Sequence, residues 1–401
     1  MVIDTELLVK PTVNRYVAGK DISKTRVVVA MSGGVDSSVA AALLKDQGYE
    51  VIGITLQLYD NADATKNTKS CCASRDISDA RNVAQHIDIA HYVLNYESLF
   101  KESVIDEFAN SYVRGETPIP CVSCNQTVKF RDLFKFAKNL NADALVTGHY
   151  VKKIINEQGK AELHKASDHG KDQSYFLFST TQEQLDFIDF PLGNLNKEQT
   201  RQLARHYNLP IAEKPDSQNI CFVPDGNYAA LVEKLRPEAF VKGDIIHVNG
   251  QKLGMHKGIA HYTIGQRKGL GIAANEPLYV TKIDPVNNQI IVGAVDDLKD
   301  NKLSVKMVNW LGEAIVPGES IEVLVKLRSM HQPTRAILQK AMNLEIGNDV
   351  IADIVDDAKD NMPNDIFNVQ LTIPQKSITP GQACVIYDND RLLGGGWILR
   401  D

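Results

Sequence analysis

No stretch of the 401-residue chain is apolar for long enough to cross a bilayer as a helix, and no membrane partner is expected. The first 24 residues lack the apolar run and small-residue cleavage site of a secretory leader. They read as a polar, loose extension, and the cytoplasm is the expected location. An excess of positive charge is missing too. Lys and Arg number 44 against 50 Asp and Glu, a formal charge of −6. The molecule is therefore not a uniformly basic nucleic-acid binder, and any RNA contact has to come from local clusters of Lys and Arg. Cysteine is sparse, with six in the chain. In a reducing cytosol these do not build a disulfide framework, which turns attention to metal, redox or catalytic use of the spaced ones. No internal repeat is visible.

What is present is ordinary globular composition, 43% hydrophobic and 23% charged, at a length that suggests two or three domains. Residues 26–31 (RVVVAM) are β-branched and apolar without alternation, the mark of a strand covered on both faces. A Ser-Gly-Gly turn leads into a helix expected over 37–47, stopped by Gly48. Further strands are expected at 51–58, 91–94 and 144–147, with helices at 76–87, 97–110, 127–138, 181–190 and 196–207. Asn196 with Gln199 has the spacing of a capping box. Strand and helix alternate, so the first half is expected to be a doubly wound α/β domain with a parallel sheet.

After about residue 215 the character changes. One helix, 227–235, precedes hairpin turns and Gly-rich stretches. From about 302 the chain is nearly all strand, expected at 304–310, 320–327, 334–339, 367–373 and 383–387, which suggests a small barrel. The expected division is an extension over 1–24, the α/β domain over 25–215, a small mainly-β central domain over 216–300 and a C-terminal β-barrel over 301–401. An acidic insertion occupies 341–363 of the barrel.

The first chemical signal is Ser32-Gly33-Gly34-Val35-Asp36-Ser37, placed between a buried strand and a helix. Glycines let the backbone turn sharply and bring N–H groups to an anion, and a helix N-terminus adds positive potential. There is no Gly-Lys-Ser, so this is not a Walker A loop. Asp36 repels bare phosphate, and its position makes sense with Mg²⁺ between them. A plain tight turn with Asp36 or Ser37 as N-cap is the alternative. Ligands of doubly wound sheets lie beyond the strand carboxyl ends, where strand order reverses. Leu56, near the end of the second strand, is placed to meet the adenine or, the reading favoured for it taken alone, to pack in the core; Gly148, after the fourth, allows a close backbone approach or serves as a plain turn.

Cys121 and Cys124 lie in Pro120-Cys121-Val122-Ser123-Cys124-Asn125. A helix start near Asn125 puts Cys124 at an N-terminus, where a thiolate is stabilised. Cys221 lies in Asp216-Ser217-Gln218-Asn219-Ile220-Cys221-Phe222, at the expected junction of two domains. Two chemistries fit. In one, Cys221 carries a persulfide sulfur and Cys124 is its partner. In the other, Cys121, Cys124 and Cys221 ligate an iron–sulfur cluster with one iron left open. Cys71, Cys72 and Cys384 read as small buried hydrophobes.

The order of these motifs resembles the tRNA-specific 2-thiouridylase family, within the PP-loop ATP pyrophosphatase superfamily. The matching stretches are AMSGGVDSSVAA, TPIPCVSCNQTVKF, ALVTGHY, KDQSYFL, DSQNICFV, HYTIGQRKGLGI and TPGQACVIYD…LLGGGWI. They run from about residue 26 to the C-terminus. The resemblance implies an adenine nucleotide alpha hydrolase-like domain, a central domain and a C-terminal barrel. It implies that Ala30, Met31, Ser32, Gly33, Gly34, Val35, Asp36, Ser37, Leu56 and Gly148 bind ATP, that Cys124 is the nucleophile, and that Cys221 bears the persulfide. Ile119, Pro120 and Cys121 then lie against the target base. His149, Lys171, Asp172, Gln173, Arg328, Ser329 and Gln382 touch tRNA at its anticodon loop. The expected reaction is ATP-dependent 2-thiolation of the wobble uridine, with sulfur delivered by a donor protein. Many members carry Asp where this chain has Cys121, which keeps the cluster chemistry open. Arg328-Ser329-Met330-His331 departs from the usual Arg-Tyr-Arg-Gln. The alternative enzyme class is another synthetase of the same superfamily, which needs no paired cysteines. A non-enzymatic alternative is an RNA-binding protein with a vestigial nucleotide site.

Overall fold

The computed structural model describes residues 11, 13–59, 72–216, 220–223, 226–341 and 366–399, with the backbone alone at 72 and 73. Cys71, the Cys72 side chain and nearly all of the acidic insertion lie outside the described residues. The chain divides into two compact units, one made of 1–103 and 123–218, the other of 104–122 and 219–401.

In the first unit the strands are β1 (Arg26–Ala30), β2 (Glu50–Gln57), β3 (Ala90–Asn95), β4 (Ala144–Thr147), β5 (Val151–Ile155), β6 (Ala161–Lys165) and β7 (Ile188–Asp189). Helix α1 spans Val35–Asp46 and α2 Cys72–His86. Five strands form a parallel sheet in the order β3-β2-β1-β4-β7. The four strands expected here are present within one residue at each end. Val27, Val28 and Val29 are 0% exposed, and each such valine stabilises the fold by roughly 1.5–3 kcal/mol. Because β2 and β3 follow β1 to one side while β4 lies on its other side, strand order reverses between β1 and β4. Helix α1 starts two residues earlier than expected. Gly34, not Asp36 or Ser37, takes the N-cap, at φ −91 and ψ 167 and without a side-chain cap bond. The Asn196–Gln199 capping box is present at the helix Lys197–His206. The β5–β6 antiparallel hairpin was not expected.

Part of the stretch read as an extension is tied to this unit. Asn14 donates to the Lys20 carbonyl at 3.0 Å, Tyr16 Oη to Asp189 at 2.9 Å, and Lys20 Nζ to Asp143 at 2.6 Å.

The second unit carries a four-stranded sheet of β8 (Gly243–His247), β9 (Lys252–His256), β10 (Tyr279–Asp284) and β11 (Gln289–Gly293), ordered β10-β11-β8-β9. Its core gathers Ile245, Tyr262, Val280, Ile290 and Val292. A helical cluster joins Phe108 and Tyr112 of Glu107–Val113 to Val232, Ala239 and Ala260. The remaining strands are β12 (Lys299–Trp310), β13 (Ser320–Lys326), β14 (Thr334–Lys340), β15 (Phe367–Lys376), β16 (Ala383–Asp388) and β17 (Arg391–Ile398). They run β12-β15-β14-β13-β16-β17, and β17 pairs back with β12, closing a six-stranded barrel and removing its edges. Cys384 is fully buried in the barrel core, and burial pushes its thiol up to about 12.

Closure depends on glycine in β17. Gly394 sits at φ +145, and a Cβ there would meet the Asn309 carbonyl oxygen at 2.1 Å. Gly394→Ala is expected to cost about 2 kcal/mol or more, read as a lower urea midpoint. An unchanged midpoint would show that the seam has room to relax.

Candidate functional site

The loop after β1 is shaped by two places where no side chain fits. Gly33 takes φ +75, and a Cβ there would meet the Asp76 carbonyl oxygen at 2.2 Å. Gly148, just past β4, would place a Cβ 2.6 Å from the Ser37 backbone nitrogen. The carboxyl ends of β1 and β4 therefore meet over the first turn of α1, at the reversal of strand order. With Gly34 as a cap that offers no side-chain acceptor, the first-turn N–H groups keep their hydrogen-bonding capacity for an anion. Ser37 Oγ accepts from Ser32 N at 3.1 Å, and the two hydroxyls lie 3.3 Å apart. Ser38 Oγ turns inward to the Gly34 carbonyl at 2.8 Å. Ala30 ends β1, and Met31 is buried, its carbonyl accepting from Thr55 Oγ1 at 2.8 Å. Leu56 is half-buried near the end of β2. The expected nucleotide residues, from Ala30 to Ser37 with Leu56 and Gly148, thus all belong to the first unit.

Charged groups that the sequence did not reveal surround this turn. Asp36 is ion-paired with Lys197 at 2.8 Å, and the Tyr150 hydroxyl lies 3.0 Å from its Oδ1 and 2.8 Å from Thr200 Oγ1. Lys197 also reaches Asp216 at 2.8 Å, and Asp216 meets Lys171 at 2.9 Å and Arg201 at 3.2 Å. Burial works against the Asp216 carboxylate, but Lys197 and Lys171 outweigh it and hold its pKa down to about 2. Lys214 donates to the Gly33 carbonyl at 2.9 Å and to Asp76 at 2.7 Å. The one signal for Lys197 was its place at the first position of a helix, where an acidic residue is favoured.

Three residues expected at tRNA serve the unit's own loops here. Lys171 is held by Asp216. Asp172 accepts from Ala166 N at 3.1 Å and from Ser174 Oγ at 2.8 Å. Gln173 Oε1 accepts from Tyr150 N at 2.9 Å. His149 Nδ1 lies 2.8 Å from Thr147 Oγ1, and the ring meets Phe130 edge-on. Burial, and then the Lys129 charge, push its imidazole down to about 3, so it is neutral at physiological pH.

The cysteines differ from expectation in one respect. The helical turn begins at Pro120, as Pro120–Ser123, and Cys124–Asp132 follows as π-helix. Proline has no N–H to leave unpaired and its φ is preset for a first turn. Cys124 therefore sits one turn past the start rather than at the N-terminus, where the dipole effect fades, and it is 7% exposed. Cys121, within the first turn, is exposed, as is Cys221 on the turn closed by Val223 N to Ile220 O at 2.9 Å. Phe222 beside it packs edge-on to Phe108. Each of these cysteines lies within three residues of a point where the chain passes from one unit to the other. Among the described residues no group of three or more His, Cys, Asp or Glu side chains is gathered as a metal set.

In the second unit the barrel holds the segment leading to Ile119, Pro120 and Cys121. Thr117 N donates to the Pro380 carbonyl at 2.9 Å, and Gln382 Nε2 donates to the Thr117 carbonyl at 2.7 Å. A Cβ on Gly381, which sits at φ +80, would come within 2.8 Å of Glu116 Cβ. Arg328 Nη2 donates to the Ser377 carbonyl at 2.7 Å and to Thr379 Oγ1 at 3.2 Å. The expected residues Arg328 and Gln382 thus share one loop, 377–382, while Ser329 is half-buried beyond it.

Comparison with known proteins gives three family matches. The model described as tRNA methyl transferase HUP domain covers residues 25–225. The one described as tRNA methyl transferase PRC-barrel domain covers 230–294, and the Aminomethyltransferase beta-barrel domain covers 357–398. The tRNA-specific 2-thiouridylase MnmA of Rickettsia bellii (strain OSU 85-389) is 54% identical over 378 residues, 94% of this chain and 97% of its own length. The proteins of the same name from Rickettsia felis and Rickettsia canadensis are also 54% identical, over 94% of this chain and 98% and 96% of theirs.

Two outcomes follow from the geometry. Gln382→Leu removes the bond to the Thr117 carbonyl, and the Thr117 amide is expected to exchange about 10-fold faster with solvent; unchanged exchange means the Pro380 bond alone suffices. For His149, an unfolded histidine takes its proton near ~6.5, whereas the folded ring resists until about 3. The unfolded chain binds the extra proton between those values, so stability present above ~6.5 is lost as pH falls toward 3. His149→Gln is expected to lessen the drop in urea midpoint between pH 7 and 5, and an equal drop in both proteins would refute the assignment.

Proposed function

Because the chain belongs to the tRNA-specific 2-thiouridylase family, we propose that it uses ATP to exchange the C2 oxygen of a tRNA wobble uridine for sulfur. The observation that carries this is the first turn of α1, started by Gly34 without a side-chain cap at the sheet's switch point, where Gly33 and Gly148 let the backbone pass closely. It suits the β- and γ-phosphates of a nucleotide whose adenine lies near Leu56. Ser32 and Ser37 have hydroxyls to donate to phosphate oxygens. Asp36 is the single carboxylate of the loop, which suits Mg²⁺, a cation that keeps waters and takes one or two carboxylates plus phosphate oxygens. Bound there, Mg²⁺ would neutralise the departing pyrophosphate.

The uridine C2 oxygen attacks the α-phosphate, pyrophosphate leaves, and the oxygen becomes part of an AMP leaving group. The terminal sulfur of a Cys221 persulfide, loaded by a sulfur-donor protein, attacks C2 directly or after release as hydrosulfide, and AMP departs. In either route the Cys124 thiolate attacks the Cys221 sulfur, before C2 is attacked to release hydrosulfide or afterwards to free the thiocarbonyl, and a Cys124–Cys221 disulfide is left. A two-electron dithiol reductant resets the pair. The exposed turn that carries Cys221 supports loading by an external donor. An unpaired anticodon loop makes extrusion of the base cheap. Ile119, Pro120 and Cys121, on a segment anchored by the barrel, are the residues proposed at the base. His149, kept neutral, offers hydrogen bonds without adding charge. Arg267 and Lys268, exposed on the Gly-rich loop of the second unit, are proposed at the RNA backbone together with Arg328. The cytoplasm, where the tRNA pool lies, is the proposed location.

Cys221→Ser is expected to abolish 2-thiouridine formation while tRNA-stimulated pyrophosphate release persists, measured by nucleoside mass analysis and a phosphate assay in parallel. Thiolation by the variant sinks the persulfide assignment. Iron analysis of an anaerobic wild-type preparation separates this route from a cluster held by Cys121, Cys124 and Cys221.

A further inference from the structure

The phosphate loop has no cation of its own. From Ser32 to Ser37 its only charged side chain is Asp36, which is negative. Two lysines from far along the chain come to it. Lys214 is committed to the loop's shape, donating to the Gly33 carbonyl and to two carboxylates, Asp76 and Asp79. Lys197 is placed differently. Its ammonium meets both oxygens of Asp36, at 2.8 and 3.0 Å, and Asp216 at 2.8 Å.

The position of Lys197 breaks a local rule. It is the first residue of the helix Lys197–His206, where the helix carries partial positive charge and a cation is of the wrong sign. The helix does not need it, because Asn196 and Gln199 already cap that end reciprocally. Its side chain is 15% exposed, a further cost for an ammonium. Departures of this kind from local preference concentrate where function requires them.

We propose that Lys197 is the phosphate-binding cation of this nucleotide site, held by Asp36 beside the first turn of α1 until the polyphosphate arrives and then transferred onto its oxygens. This rests on the ATP reading above and adds to it the residue that supplies the missing positive charge. The charge balance favours the exchange. Lys197, Lys171 and Arg201 give three positive charges against Asp36 and Asp216, an excess of one before any anion binds. When Lys197 leaves, Asp216 keeps Lys171 and Arg201, and Asp36 keeps the Tyr150 hydroxyl. Asp36 is then released for the Mg²⁺ that accompanies the nucleotide. A four-carbon stem with a compact charged head can make this move without shifting its helix.

The test compares equilibrium binding of pyrophosphate with Mg²⁺, and of adenosine, by calorimetry on the full-length wild-type protein, Lys197→Met and Lys197→Arg. Loss of one charge-assisted contact should weaken pyrophosphate by about 10- to 100-fold in Lys197→Met. Adenosine binding should be unchanged in that variant, and Lys197→Arg should recover most of the pyrophosphate affinity. Equal pyrophosphate affinity in wild type and Lys197→Met overturns the inference. So does loss of adenosine binding along with pyrophosphate, because it marks a purely structural lysine. Wild-type protein that binds neither Mg·ATP nor pyrophosphate removes the ATP reading itself.

Discussion

The absence of two β-carbons governs the first unit. A methyl group at Gly33 would overlap the Asp76 backbone, and one at Gly148 would overlap the backbone of Ser37. With hydrogen at both places, the chain after β1 turns tightly, the chain after β4 lies directly over the first turn of α1, and the helix starts with its N–H groups uncapped. The surrounding charges are arranged about that turn: Asp36 within it, Lys214 on the carbonyl of Gly33, and Lys197 facing Asp36. A helix end capped by glycine rather than by a side-chain acceptor costs only a few tenths of a kcal/mol. It is offset by sheet burial at Val27, Val28 and Val29, which is large enough to hold an unfavourable terminus in place.

The second unit solves a different problem, which is to hold a short segment rigid. Residues 116 and 117 run against loop 380–382 with a bond in each direction, and Gly381 lets the backbones close up. Arg328 secures the same loop through Ser377 and Thr379. A closed barrel is a stiff support for such a loop, because none of its strands has an open edge to fray. Ile119, Pro120 and Cys121 follow within a few residues, so their placement inherits that stiffness.

Much of the first unit was legible because its signals are local. An unbroken run such as RVVVA has few outcomes other than a strand covered on both faces, and Asn196 with Gln199 could be read as a cap from spacing alone. Gly33 was legible from the glycine pair, and the approach of Gly148 from the rule about strand reversal. The start of the helix at Pro120 was available from proline's preference for a first turn, yet the Cys-x-x-Cys pattern drew the boundary five residues later, near Asn125. Strand β17 was hidden because Gly394, Gly395 and Gly396 lower strand propensity; two of them are needed because β12 passes too close for a side chain. The Lys197 and Lys214 contacts were out of reach. They join positions 161 and 181 residues apart, and no local periodicity encodes an ion pair across such a separation.

The division of the chain has a consequence for its synthesis. Residues 104–122 belong to a unit whose other part begins only after residue 218, and Phe108 and Tyr112 pack against Val232, Ala239 and Ala260. As the polypeptide leaves the ribosome, the sheet of the first unit has all its strands by the time β7 emerges. Phe108 and Tyr112 must wait for partners translated on the order of ten seconds later. For that interval the segment Glu107–Val113 carries two aromatic side chains without their final partners, a transient target for chaperones that bind apolar segments and for proteases.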